Sequence, residues 1–154
     1  MLSSSSQYAI RALAHLARQP DRTRWMLARQ IAEELGIPAS FLAKVLQTLT
    51  AQGVLESQRG RRGGFRLRRD PDRLSLFEVV ELFDRLGQGR LCVLGQKVCD
   101  DDSACPLHHT WKHSVNAFVH RLRTTTLADV SREQGVGGFP AHVPPSAPPA
   151  LGAG

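Results

Sequence analysis

Three cysteines and one histidine are the residues of this chain best suited to hold an inorganic cofactor. Cys92, Cys99, Cys105 and His108 follow the spacing C-x6-C-x5-C-x2-H. Three thiolates and an imidazole suit either zinc or an iron–sulfur cluster. Cys105 stands directly before Pro106, which puts it at or beside the expected N-cap of a helix, where the positive end favours a thiolate. His108 follows one turn later, on the same side of that helix. Structural zinc sites favour tight C-x2-C knuckles, and this spacing has none, so zinc is the lesser alternative. Buried structural cysteines would ride apolar helix faces, whereas Cys92 and Cys99 lie in a polar, Gly-containing stretch. A metal-free thiol sensor stays open as a third reading. Asp100, Asp101 and Asp102 read as a solvated turn, and His109, His113 and His120 as surface residues.

The other chemically suggestive feature is cationic. Lys plus Arg number 20 against 14 Asp plus Glu, giving a formal charge of +6 and a pI near 10.0. Seventeen of the 20 are Arg, which fits either Arg-rich codon usage or a polyanionic partner. Clustering decides between them. Arg59, Arg61, Arg62, Arg66, Arg68 and Arg69 crowd eleven positions with no acid among them. Gly60, Gly63 and Gly64 punctuate the same stretch, as a hairpin tip requires.

The elements that must position these groups follow from periodicity. Ala9, Ala12, Leu13 and Leu16 mark a first amphipathic helix behind serines 3–6. Ala28, Ile31, Ala32 and Leu35 mark a second, and Leu42, Val45, Leu46 and Leu49 a third. Between the last two, Gly36 suits a left-handed helix stop and Pro38 the first turn of the next helix, a helix-turn-helix arrangement. Its outer face offers Ser40, Ala43, Lys44 and Gln47 to a major groove. After Gly53 the period becomes two, with strands expected at 54–58 and 65–68. The resulting wing turns Phe65 and Leu67 inward and Arg66 and Arg68 outward. Leu76, Val79, Val80 and Phe83 begin a fourth helix. A long helix from Pro106 carries Trp111, Val115, Phe118 and Leu122 at coiled-coil spacing, the expected homodimer seam, with packing inside one subunit as the alternative.

The fold class expected is mainly α with a small β-hairpin wing. Residues 1–86 form the winged helix-turn-helix region, 87–107 a cysteine loop, 105–133 the dimerisation helix and the end of the fold, and 134–154 a disordered Gly/Pro-rich tail. Hydrophobic residues at 42% support a globular core, and no run approaches the ~20 apolar residues of a membrane helix. The N-terminal stretch lacks the pattern of a secretory signal, so a cytoplasmic location is expected. Nucleophile elbow, P-loop and paired catalytic carboxylates are missing from the sequence, which argues against an enzyme. A winged-helix adaptor for protein contacts is the remaining competitor.

The order of these features resembles the Rrf2 family of bacterial winged-helix regulators, which includes cluster-sensing repressors of the IscR and NsrR type. The resemblance runs from about Leu2 to Asp129. It rests on Tyr8-Ala9-Ile10-Arg11-Ala12-Leu13, on Ile31-Ala32-Glu33 through Ser40-Phe41-Leu42, on Gly53-Val54-Leu55 through Arg59-Gly60 and Gly63-Gly64-Phe65, and on the three-cysteine loop. It implies a homodimer on a partly palindromic double-stranded DNA operator, with repression as the expected direction and occupancy set by a cluster on the cysteines. His108 matches the IscR-type histidine, which favours [2Fe-2S] over [4Fe-4S]. Three departures stand out. The first cysteine gap is one residue longer than in the IscR pattern, Gln7 replaces the NsrR-type Asp, and Ala43 stands where IscR-like recognition helices place a Glu.

Overall fold

A computed structural model describes residues 2–84, 86, 94, 102 and 104–132. Cys92, Cys99 and the expected tail over 134–154 lie outside the described residues. Helix α1 (Ser4–Arg18) starts at Ser3, whose Oγ accepts the Ser6 N–H at 3.2 Å. A side-chain oxygen at this position satisfies an otherwise orphan donor. Ala9, Ala12 and Leu13 are fully buried, and α1 packs against most of the other helices.

Helices α2 (Ala28–Leu35) and α3 (Ala39–Ala51) follow the expected spacing, with Ile31, Ala32, Leu42, Val45, Leu46 and Leu49 in the core. Gly36 closes α2 at φ 62° and ψ 35°, the left-handed conformation that costs a Gly little. Pro38 occupies the N-cap of α3, one place outside the first turn expected for it. Arg11 of α1, only 6% exposed, donates through Nη2 to the Leu35 carbonyl at 2.6 Å. Burial presses its pKa down, yet the orphan carbonyls of a helix C-terminus are a suitable partner for a cation. This contact ties the helix-turn-helix corner to α1.

The wing is a hairpin of β1 (Leu55–Gln58) and β2 (Gly64–Leu67), paired antiparallel with Ser57 opposite Phe65. It has a third member that the periodicity did not disclose. Met26 forms an antiparallel bridge to Phe65, with N–H···O distances of 3.0 and 2.8 Å. Beyond a 3-10 turn at Pro71–Arg73 come α4 (Leu76–Asp84), α5 (His108–Thr124) and α6 (Leu127–Arg132).

Two expectations about the C-terminal part need correction. The long helix begins at His108, with Leu107 at its N-cap, so Cys105 lies two residues outside rather than at the cap. The helix also stops at Thr124, and the separate α6 turns back to pack on α1. Leu122 is only 5% exposed and belongs to the core of its own subunit, so it leaves the expected dimer seam. A 3.5-residue stripe reports an apolar face without saying what covers it.

Helices α4 and α6 begin back to back. The Leu76 N–H donates to Thr125 O at 2.9 Å and the Leu127 N–H to Leu74 O at 2.8 Å. Each helix opens with a reciprocal capping box. Ser75 N–H donates to Glu78 Oε2 at 3.0 Å while Glu78 N–H donates to Ser75 Oγ at 3.3 Å. Thr126 N–H donates to Asp129 Oδ2 at 2.8 Å while Asp129 N–H donates to Thr126 Oγ1 at 3.2 Å. Partial burial pushes the Glu78 pKa up, but hydrogen bonds from Arg69 and Ser75 outweigh it and hold the carboxyl below its ordinary value. A depressed folded pKa contributes stability above the unfolded value and loses it as pH falls through the folded one. Thermal melts from neutral pH to below about pH 4 should therefore show a shallower acid decline for Glu78→Gln than for the parent. Parallel declines would remove this assignment.

Candidate nucleic-acid interface

The apolar stripe of α3 fixes which face remains outward. Leu42, Val45, Leu46 and Leu49 anchor the helix, so Ser40, Lys44 and Gln47 stand exposed and Ala43 is half-buried. Phe41, 38% exposed, meets the Tyr8 ring edge-on at 5.4 Å, which steadies the start of α3 against α1. The outward face is free of acids, and its side chains are short or flexible.

At the wing tip Arg59, Arg61 and Arg62 are exposed, and the turn is closed by the Gly63 N–H donating to Gly60 O at 3.0 Å. Arg68 is exposed as well, its Nη1 lying over Gly53. Among the described residues no carboxylate is ion-paired with these four arginines. Arg66, which alternation aims outward, behaves differently. Its Nε lies 2.6 Å from Glu56 Oε1, its Nη1 donates to Thr23 O at 3.1 Å, and its guanidinium sits 4.2 Å from the Trp25 ring centroid. Stacked and neutralised, Arg66 braces the wing against the segment before α2. Arg69 is similarly committed to Glu78 at 2.7 Å.

Between α3 and the wing runs an open groove of about 660 Å³. Gln47 lines it from the helix, Ser57, Arg59 and Phe65 from the wing, and Leu27 from the start of α2, with no acidic residue in its walls. Trp25, the buried Met26 that bridges to Phe65, Leu27 and Glu56 are the residues shaping this region that sequence reasoning missed. The unbroken apolar run Trp25-Met26-Leu27, too short for a period, was the one signal that could have found the first three; nothing in the sequence marked Glu56.

Of the expected cofactor ligands, only Cys105 and His108 fall within the described residues. Cys105 is half-buried, and its carbonyl accepts the His108 N–H at 2.9 Å. That turn keeps the two residues together although neither caps the helix by its side chain. The His108 side chain is buried at 3% exposure and its ring packs edge-on against exposed His109 at 5.3 Å. His113 and His120 are exposed, as expected. Among the described residues no group of three or more His, Cys, Asp or Glu could hold a metal ion. On α5, Trp111 and Val115 are half-buried and Phe118 is 46% exposed.

A tight helix-turn-helix followed by an arginine-tipped hairpin defines a winged helix-turn-helix DNA-binding protein. The Rrf2 family, described as an iron-dependent transcriptional regulator, matches residues 2–133, and the chain belongs to that family. It is a transcriptional regulator and not an enzyme. A provisionally named HTH-type transcriptional regulator of Aquifex aeolicus is 34% identical over 132 residues, covering 84% of this chain and 90% of the relative. Protein aau3 of Rhizobium meliloti is 33% identical over 132 residues, covering 84% and 83%. Among solved structures, the fold is similar to CymR, the global cysteine regulator of B. subtilis, at TM-score 0.69 and 20% identity over 85% of this chain and 95% of that one. It is also similar to T. potens IscR, at TM-score 0.67 and 20% identity over 90% and 91%. Among the described residues no helix is long and apolar enough to cross a membrane.

Proposed function

We propose that two copies of this chain pair through Trp111, Val115 and Phe118 of α5 and act in the cytoplasm on a double-stranded operator. Helix α3 enters the major groove with Ser40, Ala43, Lys44 and Gln47, while Arg59, Arg61 and Arg62 meet phosphates or a narrow minor groove, with Arg68 behind them. Arg66 braces the wing rather than touching the duplex. The observation that carries this reading is a wing whose arginine tip holds no acid, standing beside the acid-free outward face of α3. An adaptor that used the wing for protein contacts would be indifferent to duplex DNA. Gel shifts across a salt series test the point, since phosphate contacts make affinity fall steeply with salt.

The cofactor in this reading is an iron–sulfur cluster, [2Fe-2S] in preference to [4Fe-4S], held by Cys92, Cys99, Cys105 and His108. Support comes from the donor set, from the short Cys105–His108 turn and from the family's iron-dependent description. When bound, the cluster supplies a centre whose oxidation, nitrosylation or loss alters local charge. The chain's own part is mechanical. Helix α5 spans about 25 Å and leads from His108 to the joint at Leu74–Leu76, whose flanks Arg73 and Glu78 are bonded by Arg69 just beyond the wing. A reorientation of α5 would reach the wing through that joint. Only about 1.4 kcal/mol of differential stability is needed for a tenfold change in operator affinity. Protein purified without oxygen should be coloured, with iron and sulfide present in proportion. Cys105→Ala should bleach the colour and leave the helical circular dichroism unchanged. Colourless protein with stoichiometric zinc would refute the cluster, leaving the DNA reading intact.

A further inference from the structure

Helix α2, like α3 and α5, begins without a side-chain cap. Its N-cap is Leu27, which makes no side-chain capping bond, although Ser, Thr, Asp and Asn are strongly preferred there. The side chain is 49% exposed and lines the groove between α3 and the wing. Phe65 lies in the same wall, held opposite by the Met26 bridge.

We infer that Leu27, with Phe65, forms an apolar bed for a deoxyribose of the DNA strand that crosses from α3 to the wing tip, so that Leu27 positions the duplex against the wing. This rests on the proposed DNA binding and deepens it. Three features of the groove select a sugar–phosphate strand as its occupant. Leu27, Ala28, Ala51 and Phe65 make its lining largely apolar, as a furanose face requires. Its lining also includes Arg59, Ser57 and Gln47, able to receive the adjoining phosphate, and no acid to repel it. It is continuous with both elements that meet the duplex. An apolar sugar contact carries no sequence information and releases no counterion.

The discriminating substitution is Leu27→Ser, which installs the preferred cap while deleting the apolar contact. It should raise the thermal midpoint by about 3 °C. It should also weaken binding to mixed-sequence duplex DNA by about fivefold, from loss of roughly half a leucine's burial. The plot of log affinity against log salt should stay parallel to the parent's, since no charge is removed. Leu27→Met, which keeps the apolar volume, should bind as the parent does. Parent-like binding by Leu27→Ser, an equal loss in Leu27→Met, or a changed salt slope would each overturn the inference while leaving the DNA reading standing. Failure of the parent itself to bind duplex would overturn both.

Discussion

Replacing Arg59, Arg61 and Arg62 together by Ala should reduce DNA affinity by two orders of magnitude or more at moderate salt. It should also reduce the slope of log affinity on log salt by about 2.7, near 0.9 for each phosphate left without its cation. The size of the effect follows from the geometry of the tip. The three side chains are exposed, and no carboxylate among the described residues is paired with them, so their charge is free to meet phosphate. Arg66→Ala provides the contrast. Its guanidinium already faces Glu56, Thr23 O and the Trp25 ring. Its loss should therefore lower stability by about 1 kcal/mol with little change in salt slope. Measuring both quantities in both variants separates the roles. A triple variant with the parent's slope would show that the tip does not reach phosphate.

Gly64→Ala should be strongly damaging to the wing. Gly64 has φ 139°, a conformation that side chains rarely adopt. An added Cβ would lie 2.3 Å from Met26 O and 2.5 Å from Met26 C, both backbone atoms that cannot rotate away. Strain and collision together should cost on the order of 3 kcal/mol, lowering the thermal midpoint by about 10 °C. The bridge between Met26 and Phe65 would open first, because that is where the atoms meet. Gly60 makes the comparison clean. It too has positive φ, at 102°, but an added Cβ there meets nothing within 4 Å. Gly60→Ala should therefore cost only about 1 kcal/mol, the strain alone. Equal losses in urea unfolding would mean that the close approach to Met26 is not what Gly64 provides.

Much of the DNA-binding half was legible in residue order because its signals are local. The stripes on α1, α2 and α3 name their own buried faces, and Gly36 marks the corner between the last two. The acid-free arginine cluster marked the tip, and Lys44 and Gln47 were correctly left outside the stripe. Where the reading failed, the information was not local. Alternation aimed Arg66 outward, which is correct for the strand. It could not reveal that Trp25 and Thr23 would be waiting on that side. Met26 belongs to the wing through one bridge, and a single residue has no period.

For α5 the division is sharper. Its stripe required burial of Trp111, Val115, Phe118 and Leu122, yet only the folded chain shows that Leu122 is covered from within while Phe118 remains open. The residue types alone decided that there would be a tight helical corner and a cationic hairpin, because each depends on neighbours in the chain. Tertiary structure alone decided which arginines stay free, which leucines face water and where α6 returns to α1. Those outcomes depend on contacts between segments far apart in sequence, for which side-chain spacing carries no signal.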